Sequence, residues 1–237
     1  MSGHSKWSQI KHKKAIVDSK RGKAFTHLIK EITLAARMGG GDPTGNPRLR
    51  LLLEKAKEIN MPLDNTQRAI KRGTGELPGV SYEPITYEGY GPGGIAVVID
   101  TLTDSKNRTV AELRHIFSIK GGSLGETNSV SWMFEKLGVL KVPGKVSEDA
   151  LLETLLDFDI KDIKVDEQFA HIFCEPRALE PVKQALIAAG YKVETAEIEW
   201  AAKNNTSLPE EQAEKAYDFL SALEDHDDVQ NVFTNLA

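Results

Sequence analysis

Apolar and basic positions alternate at helical spacing over residues 20–42, and this is the strongest pattern in the chain. The apolar positions recur mainly every three or four residues, which predicts a helix with one buried face. They are Phe25, Leu28, Ile29, Ile32 and Ala36. The opposite face is mainly basic, although Leu34 interrupts it, and it carries Lys20, Lys23, His27, Lys30 and Arg37. A cationic face of this kind favours an extended anionic partner, and the alternative is a charged face kept for solubility.

Two shorter helices are predicted next, after the glycines at 39–41 end the first helix. Asn46 and Pro47 are residue types preferred at a helix N-cap and at the first helical position. The third helix covers about residues 64–72 and ends at Gly73. It is short and no evident turn precedes it, so the sequence does not identify a helix-turn-helix. The second helix is expected to bury Leu49, Leu52, Leu53 and Ala56.

After these helices the pattern changes to strands, which are predicted at residues 84–90 and 95–102 around a glycine-rich turn. Thr109 and Glu112 have the spacing of a capping box and predict the start of a helix. A strand is predicted at residues 130–134. This region therefore contains strands and one helix.

Residues 138–200 follow the order β-α-β-β-α-β, which is typical of a ferredoxin-like domain. Ser207 and Glu210 form a second capping box, before a helix and a final strand at residues 229–233. That last segment is too short for a core of its own, so we expect it to complete the preceding strand region. The predicted fold class is α+β and multidomain, with a basic arm and all-α three-helix domain at 1–78, a discontinuous α+β domain at 79–136 with 204–237, and an inserted ferredoxin-like α+β domain at 137–203.

The amino-acid composition adds information mainly about the cellular compartment of the protein. The chain is 40% hydrophobic and 27% charged, as in soluble globular proteins. Its single cysteine, Cys174, allows no internal disulfide and favours a reducing compartment. The first residues lack the apolar segment of a secretory signal, and the longest strongly apolar run, at 95–99, is too short to cross a bilayer. We therefore expect a cytoplasmic protein with no membrane partner.

Charge is divided unevenly along the chain. Residues 1–76 contain 16 Lys and Arg against 7 Asp and Glu, whereas residues 77–237 contain 14 against 28. The first part thus has a net charge of +9 and the second −14, although the whole chain is only at −5. Such asymmetry is typical of a nucleic-acid or membrane contact at the basic end.

Two glycine motifs match known sites by letter but not by context. The G-x-G-x-x-G match at residues 89–94 contains a proline and is followed by a strand, whereas a dinucleotide site needs a helix there. The G-x-S-x-G match at 121–125 has a predicted helix before it and a strand after it, the reverse of a nucleophile elbow. The acidic residues at 224–228 are interpreted as a solvated turn, and weak metal binding is the alternative; no zinc-site spacing occurs. We expect no metal site, no cofactor and no enzyme. The least favoured alternative is an active site with carboxylates of shifted pKa around the 89–94 turn or near Arg108 and Arg114.

Phosphate binding is the chemistry that remains. Lys and Arg neutralise phosphates with an affinity that tolerates sequence and depends on salt. Trp7 has the right chemistry to stack on an unpaired base, and packing of the arm onto the helices is the alternative. The candidate nucleic-acid-binding residues are Lys6, Trp7, Lys11, Lys13, Lys14, Lys20, Arg21, Lys23, Lys30, Arg37, Arg48, Arg50, Lys71 and Arg72.

Seven segments, in the same order and over nearly the whole chain, resemble the YebC/PmpR family. They are GHSKW, IKHKKAIVDSKRGKAF, AARMGGGDPTGNPRLR, INMPLDNTQRAIKRGTG, YEGYGPGG, TDSKNRTVAELRH and LEDHDDVQNVFTNL. The resemblance implies a three-domain architecture with an inserted third domain. It also implies a regulator of gene expression, because bacterial members are described as probable transcriptional regulators that bind promoter DNA.

The resemblance implies a second kind of target as well. Mitochondrial relatives act as translational activators, and bacterial ones have been linked to ribosomes stalled on proline-rich stretches. A basic arm with Trp7 suits RNA, whereas the lack of a clear recognition helix counts against strongly sequence-specific DNA reading. We expect a nucleic-acid-binding regulator without a cofactor, a DNA-binding transcriptional regulator as the family is usually described. The alternative is a translation factor bound to ribosomal RNA or the ribosome.

Overall fold

The computed structural model describes the backbone of residues 18–237 and the side chains of residues 22–237. Its first part is helical, as the sequence predicts. The helices are α1 (Asp18–Gly39), α2 (Pro47–Glu58) and α3 (Leu63–Gly73). The Asn46 side chain accepts a hydrogen bond from the amide of Leu49 at 3.1 Å, so the predicted N-cap of α2 is confirmed.

Helix α1 is covered on two sides. Its predicted apolar face packs with α2 and α3 around Ile32, Leu49 and Ala69. On the opposite face, however, Lys30 and Leu34 are also buried. The helix is therefore a central element of its unit and does not present one open cationic face.

The rest of the described chain forms two antiparallel sheets with four further helices. In chain order the elements are β1 (Glu83–Tyr90), β2 (Ala96–Thr103), α4 (Lys106–Ile119), β3 (Ser123–Leu124), β4 (Phe134–Pro143), α5 (Glu148–Thr154), β5 (Ile160–Val165), β6 (Phe169–Cys174), α6 (Leu179–Ala188), β7 (Thr195–Ala202), α7 (Glu210–Glu224) and β8 (Val229–Thr234).

The first sheet has the strand order β3-β1-β2-β8. The last strand, β8, pairs antiparallel with β2, for example through Val98 and Phe233. Helices α4 and α7 supply its core, in which the rings of Phe117 and Phe219 meet edge to face at 4.9 Å. The last segment of the chain therefore completes this sheet, as expected from its small size.

The G-x-G-x-x-G segment is a turn between β1 and β2. Gly93 and Gly94 have φ values of 73° and 77°, which side chains rarely adopt. The strands on either side are antiparallel partners. This placement confirms the predicted turn between two strands.

The second sheet has the order β5-β6-β4-β7, with all neighbouring pairs antiparallel. Leu151 of α5 and Leu186 of α6 pack with Leu140 and Ile172 in one buried cluster. This is the ferredoxin-like arrangement that the element order predicts.

Three local predictions are wrong. Helix α4 begins before Thr109, with Ser105 at its N-cap, because the Thr109 side chain is committed to buried contacts elsewhere. Helix α7 begins after Pro209 and has no side-chain cap hydrogen bond, so Ser207 does not cap it. The strand predicted at 130–134 is instead the approach to β4, which begins at Phe134.

The described chain divides into two compact units. One comprises residues up to Ser131 together with Asn205–Ala237, and the other comprises Trp132–Asn204. The finer division into three domains stays a prediction. Among residues 18–237, the helices are all too short or too polar to cross a membrane.

Candidate nucleic-acid interface

Several predicted contact residues lie outside the described part of the chain. Lys6, Trp7, Lys11, Lys13 and Lys14 lie outside the described residues. Lys20 and Arg21 belong to α1, but their side chains are also outside the described part. These seven positions stay predictions from the sequence.

Basic side chains dominate the exposed surface of α2 and α3. Each helix turns apolar residues to the core, so its charged residues are left outside. The two helices carry seven Lys and Arg against three Asp and Glu, and all ten are exposed. We define the α2–α3 basic surface as Arg48, Arg50, Lys55, Lys57, Arg68, Lys71 and Arg72.

The outward face of α3 is basic in the carboxyl-terminal half of the helix. Arg68, Lys71 and Arg72 are spaced by three and four residues, so they share one side of the helix. Arg68 pairs with Asp64 at 2.8 Å, but both side chains are exposed and such a pair is weak. Four residues, 59–62, connect α2 to α3, and this is the turn length found in helix-turn-helix pairs.

Arg37 lies in the last turn of α1 and is exposed. Its guanidinium donates a hydrogen bond to the hydroxyl of Ser81. A cation at this position also complements the negative end of the helix dipole. Arg37 therefore has structural partners and still presents its charge at the surface.

Lys30 is not at the surface, and its prediction as a phosphate ligand is wrong. Its Nζ atom lies 2.6 Å from Oδ1 of Asp228 and donates to the carbonyl oxygen of Asp227 at 2.9 Å. The two side chains of the ion pair are only 8% and 3% exposed. The charge of Lys30 is therefore neutralised inside the protein.

Asp228 is the centre of a buried polar network. Besides Lys30, its carboxylate accepts hydrogen bonds from Thr103 at 3.1 Å, Arg108 at 2.8 Å and Thr109 at 2.7 Å. Burial raises the pKa of Asp228, but the hydrogen bonds from Lys30, Arg108 and Thr109 outweigh it and hold the pKa far below its usual range. The hydrogen bond between Arg108 and Asp228 also raises the pKa of Arg108. This network joins α1 to β2, α4 and the start of β8.

Lys23 lies at the edge of that network, against the carboxyl end of α7. Its Nζ atom donates to the carbonyl oxygen of Glu224 and lies 3.6 Å from Oδ1 of Asp225. Burial lowers the pKa of Lys23, and the Asp225 carboxylate acts in the opposite direction. We call residues 224–228, which supply these contacts, the acidic segment. The acidic segment, which is interpreted from the sequence as a solvated turn, thus also forms contacts with α1.

A polar pocket of about 470 Å³ opens beside the network. One possible metal-ligand atom from each of Glu112, His226 and Asp228 lies within 4.8 Å of the other two, and such a group is able to hold a metal ion. His226 already accepts the amide of Asp228 through Nδ1 at 3.1 Å, and its Nε2 lies 2.8 Å from Glu112. These hydrogen bonds satisfy the group, so its geometry does not require a metal.

Sequence reasoning missed the network because its members are far apart in the chain. One signal was present on α1, where Lys30, Thr33 and Leu34 form a second stripe at helical spacing. A stripe that includes leucine indicates that this face also packs against something. The acidic segment, which directly precedes a buried strand, was the available partner.

The protein is an α+β chain in which a basic helical region precedes two antiparallel sheets. The helical region has an exposed cationic surface. The TACO1/YebC protein N-terminal domain matches residues 5–76, and the TACO1/YebC second and third domain matches residues 82–236. The chain therefore belongs to the TACO1/YebC family, and the resemblance seen in the sequence is confirmed.

Relatives are similar over nearly the whole chain. A probable transcriptional regulatory protein of Chlorobaculum tepidum is 56% identical and that of Chlorobaculum parvum is 54% identical, each over 100% of this chain and 95% of its own length. The crystal structure of a conserved hypothetical protein from Aquifex aeolicus has a TM-score of 0.86 and 46% identity, and the match covers 98% of this chain and 96% of that one. The solved structure supports the α+β fold described above.

Proposed function

We propose that this protein is a nucleic-acid-binding regulator of gene expression, which contacts phosphates through the α2–α3 basic surface and the basic residues that precede α1. The observation that carries the proposal is the seven-to-three excess of exposed basic residues on α2 and α3. The net charge of +9 over residues 1–76 supports it. Lys and Arg arranged in this way bind a phosphate backbone with little dependence on sequence.

DNA is the target that we propose first. Relatives more than 50% identical are named probable transcriptional regulatory proteins. The short connection between α2 and α3, with Arg68, Lys71 and Arg72 turned outward on α3, also suits a helix presented to a DNA groove. Ribosomal RNA is the competing target, because the basic arm with Trp7 has the composition of an RNA-binding segment.

Crosslinking in cells, followed by sequencing of both attached DNA and attached RNA, separates the two targets. Enrichment at discrete promoter segments, with ribosomal RNA at the level of a control, is the expected result. Enrichment at a few ribosomal RNA positions with DNA at background would make the protein a translation factor. Background levels of both would refute the proposed function.

A charge-reversal variant tests the surface itself. In Arg48→Glu/Arg50→Glu the new carboxylates lie in the first turns of α2, where negative charge is favourable, so the helix is retained. For duplex DNA we expect weaker binding and a salt dependence whose slope is smaller by about 2, since each phosphate contact contributes about 0.9. Lys145→Glu/Lys192→Glu changes two exposed lysines of the other unit by the same charge and is the control. Equal losses in both variants would show that only net charge matters, and would remove the α2–α3 basic surface from the proposal.

A further inference from the structure

We propose that the acidic segment competes with nucleic-acid phosphates for Lys23 and thereby lowers the affinity of the amino-terminal region for nucleic acid. This inference rests on the proposed function and adds a regulatory contact to it. The contact lies within one compact unit, between α1 and the carboxyl end of α7.

The partners of Lys23 offer the same chemistry as a phosphate. One is the carbonyl oxygen of Glu224, in the last turn of α7, where unsatisfied carbonyl groups carry partial negative charge. The other is the carboxylate of Asp225, at 3.6 Å. An ammonium held by such oxygens exchanges them for phosphate oxygens without a change in its own protonation.

The contact of Lys23 with Asp225 is more exposed to solvent than the neighbouring ion pair of Lys30 and Asp228. The Lys30 pair has a separation of 2.6 Å and is almost fully buried, so it is a permanent part of the fold. In the Lys23 pair the side chains are 22% and 81% exposed, and the separation is a full ångström longer. Because the Asp225 carboxylate is open to solvent, this pair is weaker than the Lys30 pair, and an incoming polyanion can displace it.

Lys23 is also well placed along the chain. It follows Lys20 and Arg21 within one helical turn, and the basic arm leads directly into that turn. Asp227 adds a second exposed negative charge that acts on Lys23. A phosphate group that approaches Lys23 therefore competes with Asp225 and Asp227 for its ammonium.

The variant Asp225→Asn/Asp227→Asn tests the competition in the full chain and leaves the anchor at Asp228 in place. Binding of a short fluorescein-labelled DNA duplex is measured by fluorescence anisotropy at low ionic strength, and again with a labelled single-stranded RNA. We expect about a three- to tenfold gain in affinity for the bound probe, and a smaller gain at high salt as screening increases. A gain no larger than that of the control variant would overturn the inference.

The control is Glu210→Gln/Glu214→Gln, which removes the same amount of charge from the first turns of α7, whereas Asp225 and Asp227 lie just after the last turn of that helix. The two exposed glutamates lie ten or more positions before Glu224, which is about 15 Å or more along the helix axis. That distance exceeds the screening length of about 10 Å at 0.1 M salt, so we expect less than a twofold gain.

A double-mutant cycle assigns the effect to Lys23. If the acidic residues act through Lys23, the Lys23→Gln background abolishes the gain from Asp225→Asn/Asp227→Asn. An unchanged gain in that background would overturn the inference, because the two changes would then be independent. Absence of any probe binding by the wild-type protein would instead refute the proposed function, so the two failures are distinguishable.

Discussion

Replacing Asp228 by Asn tests whether the buried network fixes α1 to the first sheet. The substitution keeps the size of the side chain but removes the charge that faces Lys30 at 2.6 Å. Breaking a buried ion pair on one side costs about 3–5 kcal/mol, because the remaining charge is left without a counter-ion. We expect about 3 kcal/mol, near the lower limit, because Lys30 keeps the carbonyl oxygen of Asp227 as a partner. Arg108 adds little, since its side chain is 45% exposed and retains Asp104 at 2.8 Å.

The assay has to resolve the two units, because a chain of this kind need not unfold in one step. Hydrogen exchange followed by mass spectrometry reports on each segment separately. We expect peptides from α1 and β8 to lose protection in Asp228→Asn, while those from β4 to β7 do not change. Thermal unfolding of the affected unit should shift down by about 6–12 °C, at about 2–4 °C for each kcal/mol in a unit of this size.

Asp225→Asn is the matched control for this prediction, since it changes a neighbouring carboxylate that is exposed and pairs loosely with Lys23. Its effect should stay below about 1 kcal/mol. Lys30→Met in the Asp228→Asn background removes the stranded ammonium, so part of the lost stability should return. Equal effects of Asp228→Asn and Asp225→Asn would refute the reasoning, because burial would then not set the magnitude.

Three further predictions concern the pH dependence of the Asp228 network and two other contacts. Because the folded pKa of Asp228 is depressed, its stabilisation is complete well above the unfolded value of about 3.9 and is lost as the pH falls towards the folded value. Urea titrations should therefore show a steeper acid decline for wild type than for Asp228→Asn. Glu88→Gln disrupts a carboxylate that accepts three backbone amides at 2.7–2.9 Å, so we expect a loss of about 2 kcal/mol and faster exchange before β4, with exposed Glu83→Gln as control. Gly73→Ala places a Cβ 2.4 Å from a backbone oxygen of α1, so we expect melting experiments to show a loss of about 1–3 kcal/mol in stability. As a control, the Cβ of Gly22→Ala meets open space in α1 and should raise the stability by up to about 1 kcal/mol.

Local signals were sufficient for much of the fold. Asn46 and Pro47 mark the start of α2 because capping depends on residues adjacent in the chain. The ferredoxin-like sheet follows from the order and lengths of its elements, which apolar periodicity predicts. Thr109 shows the limit of such signals. Its spacing from Glu112 fits a capping box, but the hydroxyl bonds to Asp228, 119 positions away in the chain.

The prediction of an open cationic face on α1 was wrong for the same physical reason, because the partners of its lysines lie far away in the chain. This result changes how charge asymmetry should be interpreted. A helical wheel identifies cationic positions, but it does not identify the anion that each one meets. In this chain the acidic remainder, at −14, supplies some of those anions itself. Lys30 is neutralised by Asp228, and Lys23 is partly neutralised by the end of α7.

The charge available to a nucleic acid is therefore the part that remains after internal pairing. On α2 and α3 the exposed basic charge is large, because the acidic residues of these helices are few and their basic residues lie at the surface. If affinity followed the formal charge of residues 1–76, a change at Lys30 would weaken binding as much as a change at Arg48. If it follows the exposed charge, Arg48→Met weakens binding and Lys30→Met, which removes the same charge, acts mainly on stability. Comparing the two variants by anisotropy and by melting separates charge that binds a partner from charge that holds the fold.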